Sequence, residues 1–462
     1  MTDLLAARSQ MALSLGFHIL FAVAGIAMPL LMVVAEWRAL RSGDPVDLAL
    51  AKRWARGTAI LFAVGAVSGT VLSFELGLLW PGFMGFAGAI IGMPFSLEGF
   101  AFFTEAIFLG IYLYGWRRVP PRMHLAAGVV VAVSGAASAV FVVIANAWMN
   151  TPVGFRMVDG KVVDVDPLAA MASPAALPQV LHMILAAYAA IGAMVAGIHA
   201  LGLLRQPAAA RPLHRRALGL ALWVGGLAAV AQPLSGDLLA QAVARNQPEK
   251  LAALEGQFHT ETAAPLRIGG LPDMASRATR YALEIPYGLS LLAFHDPHAR
   301  VQGLLDFPVA DWPAVPVIHV CFQVMVACGL LMVGVALLAL LLHYRHYRRV
   351  RRRPTGSAPA DARPLEWPRW FLWLVVLASP AGFLAIETGW AVTELGRQPW
   401  IIYGVLRTAQ AVTPMPELWA PLLTFTLLYL FLAVMVIILL RRQVEDSATG
   451  EIKSVLAETS HG

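Results

Sequence analysis

The chain has 462 residues, of which 58% are hydrophobic and only 13% charged, and its mean hydropathy is +0.68. An average soluble domain carries about 25% charged residues, so this composition excludes a soluble enzyme and indicates a polytopic membrane protein. The formal charge of +6 does not call for a nucleic-acid partner, because the basic residues flank apolar runs in alternate loops, as the positive-inside rule requires.

Runs of about 20 apolar residues, enough to cross a bilayer core of about 30 Å, recur near residues 12–36, 56–79, 97–116, 124–148, 178–204, 217–238, 313–343, 370–389 and 419–440. These make about nine spans, and the expected fold is an all-α integral membrane protein with one membrane domain over residues 1–462. The first run lacks a basic n-region, contains Asp3 and is long enough to span, so it reads as a retained helix with which the fold begins. Basic residues follow the first span (Arg38, Arg41, Lys52, Arg53, Arg56), the third (Arg117, Arg118, Arg122), the fifth (Arg205, Arg211, Arg215, Arg216), the seventh (the run 343–353) and the ninth (Arg441, Arg442). This asymmetry predicts an outer, periplasmic N-terminus and a cytoplasmic C-terminus in a bacterial inner membrane.

In the first span His18 lies about halfway across with no acidic neighbour on its turn, so it either hydrogen-bonds another helix or ligates a metal. The third span carries Glu98 and Glu105 seven residues apart, on one helix face. Buried acids in line suggest a proton path, against the plainer alternative of acids hydrogen-bonded within the bundle. Asn146 is a further polar group inside a span. His182 opens the fifth span and Met325 lies in the seventh; taken alone, Met325 is one of 17 methionines and reads as core filler. His199 and His319 read as structural. Cys321 and Cys328 stand two helical turns apart, too far for a disulfide, and read as packing residues. The absence of CxxCH excludes covalent haem attachment, and no thiolate cluster could hold an iron–sulfur centre.

Between the sixth and seventh spans, residues 236–311 are too polar and proline-rich to cross and form an outer loop. Its helix KLAALEG, with Lys250 and Glu255, has the pattern of a solvated amphipathic helix. The last polar stretch runs from Glu387 to Thr408, ETGWAVTELGRQPWIIYGVLRT. Glu394 and Arg397, three residues apart at the mouth of a span, must pair, bind a ligand or face water, and an interfacial salt bridge anchored by Trp390 and Trp400 would satisfy them.

The pattern GW…E.GRQPW resembles the signature of subunit I of cytochrome bd-type quinol oxidases, and the resemblance extends over nearly the whole chain. It implies that His18 is an axial ligand of the oxygen-reactive haem, that Glu394 ligates a high-spin haem b with Arg397 as its charge partner, and that His182 and Met325 ligate a low-spin haem b. It places Glu98 and Glu105 in proton delivery and at the haem pocket, Asn146 near the haems, and Arg8 at a basic position of the family. Residues 236–311 resemble a periplasmic quinol-binding loop, with Lys250 and Glu255 at the positions tied to ubiquinol oxidation. A carboxylate base and a cation are what a quinol losing two protons needs. The loop is short, as in the branch that includes cyanide-insensitive oxidases, so the third haem is d-type or b-type. Better-known members carry Arg where this chain has Gln323, a lost positive charge that disfavours the reduced haem.

The resemblance thus implies the haem-bearing subunit of a terminal oxidase that oxidises ubiquinol, reduces O2 to water and builds a proton gradient without pumping. Its partners would be a helical subunit II, optionally a small single-helix subunit, and membrane lipid, with no nucleic acid. The alternative is a proton-coupled secondary transporter, which also keeps acids in its spans; a transporter needs no His/Met pair, and the chain shows no inverted repeat with matching broken helices.

Overall fold

The structure, a computed structural model, describes residues 2–351 and 365–445. Arg352 and Arg353 of the basic run, and the chain from residue 446 onward, lie outside the described residues. Among those described, nine helical segments are long and apolar enough to cross a membrane, so the protein is a multi-pass helical membrane protein.

Helix α1 (Asp3–Ser42) starts where the Thr2 hydroxyl accepts from the Leu5 amide and stops at Gly43, whose φ of +68° suits glycine. Asp44 then caps α2 (Pro45–Leu79) by accepting from the Val46 amide, with Pro45 in the first turn. The turn between the two helices is therefore tight. Helices α3 (Pro81–Tyr114) and α4 (Pro121–Asn150) form the next antiparallel pair. A small ribbon of β1 (Arg156–Val158) and β2 (Lys161–Val163) and the short α5 (Pro167–Met171) lead to α6 (Ala176–Arg205) and α7 (Arg211–Asn246). These two cross at Gly192 and Gly225: a Cβ at Gly192 would stand 2.4 Å from the Gly225 Cα, so only small residues allow the approach.

The first part of residues 236–311 is helical. Helix α7 continues through residues 236–246, held in part by the Gln241 amide donating to Asp237 one turn back at 2.8 Å. Helix α8 (Pro248–Glu255) follows, then β3 (Glu261–Thr262), β4 (Leu266–Asp273), β5 (Ala278–Ile285), α9 (Gly288–Phe294) and β6 (Arg300–Val301). Strand β3 pairs with β6, and β4 with β5 in an antiparallel ribbon. Helix α8 is not the solvated helix its pattern predicts, because every residue from Glu249 to Glu255 is buried. The ribbon covers one side, where the Thr279 hydroxyl donates to the Gly256 carbonyl at 2.7 Å. Helix α10 (Val315–Arg351) covers another, where His319 reaches the Leu254 carbonyl.

The eighth span is broken. Helix α11 (Arg369–Ala378) ends at Ser379 and α12 (Ala381–Leu395) starts after Pro380, which lacks the N–H a continuous helix would need. A hairpin of β7 (Trp400–Ile402) and β8 (Leu406–Arg407) and the short α13 (Thr408–Ala411) precede the last span, α14 (Trp419–Glu445). Helix α1 is the most enclosed span and packs on α2, α4, α6 and α14. Helices α10 and α14 expose rows of leucine, valine and phenylalanine such as Leu330, Leu337, Leu427 and Phe431, the faces that lipid or a partner subunit covers.

Candidate functional site

Two half-buried histidines are held in the same way. His18 on α1 has Nδ1 at 3.0 Å from the Ser68 hydroxyl on α2, and His182 on α6 has Nδ1 at 3.0 Å from the Ser235 hydroxyl on α7. Each serine donates its own proton to a carbonyl of its helix, Ser68 to Val64 and Ser235 to Gln232. Each serine oxygen is therefore left to accept, which puts the imidazole proton on Nδ1 and the lone pair on Nε2, as a metal ligand requires. A glycine follows each serine. A Cβ at Gly69 would lie 2.9 Å from His18 Cε1, and one at Gly236 would lie 3.5 Å from His182 Cε1. Beside His182 the Gln232 amide nitrogen stands 3.2 Å from both ring nitrogens, so ligation through Nε2 needs that amide turned aside.

Met325 lies on α10, which packs, as α6 does, against both α7 and α12. Its sulfur sits against a third glycine: a Cβ at Gly389 would be 3.0 Å away. Two residues earlier, Gln323 makes a two-point link to the loop, accepting from the Gly269 amide at 2.9 Å and donating to the Arg267 carbonyl at 3.0 Å. Gln323 thus anchors β4 to α10.

Glu394, in the last turn of α12, has both oxygens engaged, one by Arg397 and the other by the Asn146 amide. Asn146 in turn accepts from Asn150, and Asn150 accepts from the Lys250 ammonium at 3.1 Å. Lys250 donates again to the Thr393 carbonyl at 3.1 Å. One network therefore joins α8 of the loop to the Glu394 carboxylate. Burial, reinforced by Arg397 and opposed by Glu394 and Glu249, lowers the Lys250 ammonium to about 7. The Arg397 guanidinium is only 2% exposed, yet its Nε and Nη1 have no hydrogen-bond partner. Buried cationic donors left open fit a group that brings its own carboxylates.

Glu255 faces away from Lys250. The two stand five residues apart on α8, about 500° around the helix, and Arg267 is the charged neighbour of Glu255. Burial raises its carboxyl to about 8 despite that arginine. The structure thus gives the two loop residues different partners. In the spans, Glu98 accepts from the Ser138 hydroxyl at 3.1 Å, and Glu105, buried, keeps one oxygen without a hydrogen-bond partner.

Sequence reasoning gave no role to Ser68, Ser235, Glu75 or Glu387. Glu75 on α2 accepts from Gln10 and Ser14 of α1, and Glu387 stands near Gly16. The signals were present: a Ser-Gly pair in each of two apolar runs, and an acid one heptad before Glu394. His199 bonds His214 at 2.9 Å, and His319 reaches the carbonyls of Leu254 and Gly269, consistent with the structural roles expected of them. Both cysteines are free thiols.

A haem brings an iron that takes imidazole, thioether or carboxylate ligands, a flat macrocycle and two carboxylates. Two histidines held through Nδ1, with Nε2 open at His18 and faced by the Gln232 amide at His182, a thioether against a glycine, and the open Arg397 donors fit that group. Comparison with known proteins agrees. The family described as cytochrome bd terminal oxidase subunit I matches residues 6–448. A Bacillus subtilis (strain 168) protein provisionally described as a cytochrome bd menaquinol oxidase subunit I is 37% identical, over 95% of this chain and 96% of its own. A second protein of that organism, cytochrome bd ubiquinol oxidase subunit 1, is 30% identical over 97% and 95%. The structure of bd oxidase from Geobacillus thermodenitrificans superposes with a TM-score of 0.85 at 39% identity, covering 96% of this chain and 98% of that one. A transporter finds no support, and the chain belongs to the cytochrome bd terminal oxidase subunit I family, haem-containing membrane subunits of quinol:oxygen oxidoreductases that act in respiration.

Proposed function

We propose that His18, His182, Met325 and Glu394 are the iron ligands of this subunit, with His182 and Met325 together holding a low-spin haem b. On this reading His18 and Glu394 hold the other two haems, one a high-spin haem b and one a haem d or a further haem b. The observation that carries the reading is the repeated His–Ser–Gly arrangement, which engages Nδ1 of two imidazoles and leaves Nε2 to ligate, at His182 once the Gln232 amide turns aside. Bound haem supplies one-electron transfer and oxygen reduction; the protein supplies orientation, charge and protons. Arg397 sets the charge of Glu394 and offers its remaining donors to a propionate.

Residues 236–311 form a periplasmic quinol loop in this proposal. Quinol loses two protons with its two electrons, and Glu255, covered by β4 and near Arg267, is the base for them. Lys250 sits on the Glu394 network and acts as a hydrogen-bond donor on the electron acceptor side, positively charged below about pH 7. Two relatives name different quinones, menaquinol and ubiquinol, and ubiquinol is the substrate proposed here. With α1 starting outside and α14 ending in the cytoplasm, quinol protons leave outside, while protons for water reach the haem pocket past Glu105 and Glu98. The charge separation then needs no pump. Helical subunit II and, optionally, a single-helix subunit are proposed to cover the exposed apolar helices.

Reduced-minus-oxidised spectroscopy of the purified protein with its partner subunit tests this. Haem bands are expected, with the low-spin component lost in His182→Ala and Met325→Leu; a wild-type low-spin spectrum in His182→Ala would overturn the ligand assignment.

A further inference from the structure

Helix α3 carries a third polar group on the face of Glu98 and Glu105: Tyr112, seven residues further on. Its surroundings continue a column built by three helices. Glu105 lies between Gly25 of α1 and Gly135 of α4, where added Cβ atoms would stand 3.7 and 3.1 Å from its Oε1. One heptad along, the Tyr112 ring lies between Val33 of α1 and Gly128 of α4, where a Cβ would be 2.6 Å from the ring and 2.8 Å from Val33. At the end of the column, His124 of α4 sets Nδ1 at 2.8 Å from Glu36 Oε1 of α1 and Nε2 at 2.8 Å from the Tyr112 carbonyl. Glu36 and His124 are each only 2% exposed.

The chemistry of this cluster is not that of a closed salt bridge. A carbonyl can only accept, so Nε2 of His124 carries a proton. Nδ1 and Glu36 Oε1 then share one proton between them, as an imidazolium with a carboxylate or as a neutral pair. Glu36 Oε2, the Tyr112 hydroxyl and Glu105 Oε1 are buried and have no hydrogen-bond partner within bonding distance, although the hydroxyl faces Glu36. Buried polar atoms are rarely left unpaired, and three of them follow one another along the column. The Tyr112 ring lies 4.4 Å from the His124 ring, and its hydroxyl faces Glu36. The seven-residue step on to Glu105 is about 10 Å, a gap that bridging water has to cover. The other groups around the pair are aromatic, with Trp116 tilted against His124 at 4.2 Å between ring centres, and Lys52 is the cation over Trp116 at 5.6 Å.

We propose that Glu36 and His124 are the proton-loading pair that feeds Glu105 and Glu98, with the Tyr112 hydroxyl as the intervening carrier. A proton taken from the cytoplasm adds to Glu36. The Tyr112 oxygen accepts one from Glu36 as its own proton passes toward Glu105, so the tyrosine stays neutral and each proton delivered leaves one vacancy at the pair. The proposal rests on the oxidase reading and on the C-terminal end of α3 facing the cytoplasm.

The test uses the full complex and measures haem content, oxygen consumption per haem and its pH profile. Glu36→Gln and His124→Gln should retain haem, slow turnover about 10²-fold, the lower end of the range for loss of an acid–base group, and change the pH profile. Glu36→Asp should restore much of the rate. Tyr112→Phe keeps the ring between Gly128 and Val33 and should slow turnover several-fold, so it decides the matter should the Glu36 variants fail to fold. Unchanged turnover and profile in Tyr112→Phe or Glu36→Gln, with Glu105→Gln slowed, would overturn the loading pair and leave the oxidase reading intact. A wild-type complex without haem bands would instead remove the oxidase reading.

Discussion

The α1–α2 and α6–α7 pairs present a histidine by the same means and surround it differently. In both, a serine on the second helix fixes the imidazole proton on Nδ1 and a glycine beside it makes room. Around His18 lie carboxylates on neighbouring spans, among them Glu75, which bonds Gln10 and Ser14 of the same helix, and Glu387 near Gly16. Around His182 the hydrogen-bond partners are neutral, Gln232 and Ser235. Neutral surroundings suit the proposed iron that only passes electrons, whereas acids near the other histidine suit a proposed site where protons are consumed. Ligand presentation and proton supply are thus separate devices, and the comparison can be broken one device at a time.

Removing the imidazoles has the largest expected effect. His182→Ala should abolish the low-spin haem signal and leave the rest of the spectrum, while His18→Ala should remove an oxygen-reactive signal and spare the low-spin one. Spectra of the two variants after dithionite reduction make the check. Loss of the same component in both would show that the two sites are not independent.

The next effect falls on the proton side of the His18 site alone. Glu105→Gln keeps size and most hydrogen bonding but removes the exchangeable acid, so turnover should fall about 10²-fold with haem content intact. Glu98→Gln should also disturb the spectrum. Full activity in Glu105→Gln would return this acid to a structural role.

How much of this was legible in the chain depends on where the physics is local. The nine spans and the isolated His18, Glu98, Glu105 and Glu394 stand out because a polar residue in an apolar run is costly and so conspicuous. The fate of α8 was not legible. KLAALEG has the pattern of a solvated helix, and it is buried by the β4–β5 ribbon and α10 on one side and by Asn150 of α4 and Thr393 of α12 around Lys250. The divergence of Lys250 and Glu255 around a helix of eight residues follows from spacing alone, but the partners that give it meaning, Asn150 and Arg267, do not. Ser68 and Ser235 were hidden because a serine that bonds its own helix is common in membrane spans; its role appears only when a histidine on the next helix is placed against it.

Glu255 sharpens the other half of the comparison, since the loop would serve the electron-transfer side. Its carboxyl is raised to about 8 by burial, so it is mostly neutral below that pH and becomes a base as pH rises through it. Quinol oxidation should therefore increase with pH, by up to tenfold per unit below 8, and Glu255→Gln should flatten that limb without changing oxygen binding to the chemically reduced enzyme. A pH profile of quinol-dependent turnover reads this out. An unchanged limb in Glu255→Gln would assign it to another group.

The smallest effect distinguishes two glycines that look alike in the sequence, Gly69 and Gly236, each following a serine that holds a histidine. A Cβ at Gly69 would stand 2.9 Å from His18 Cε1, closer than carbon atoms approach, whereas at Gly236 the distance to His182 Cε1 would be 3.5 Å, an ordinary contact. Overpacking of this kind costs typically 1–3 kcal/mol, and at Gly69 the cost falls on the imidazole, which must swing and weaken its bond to Ser68. Gly69→Ala should therefore lower retention of the His18 haem, while Gly236→Ala should leave the low-spin haem in place. The contrast can be read from haem-to-protein ratios of the two variants after mild heating. Equal losses in both would mean that the glycines serve helix packing generally and that the tighter approach at His18 has no bearing on how its imidazole is held.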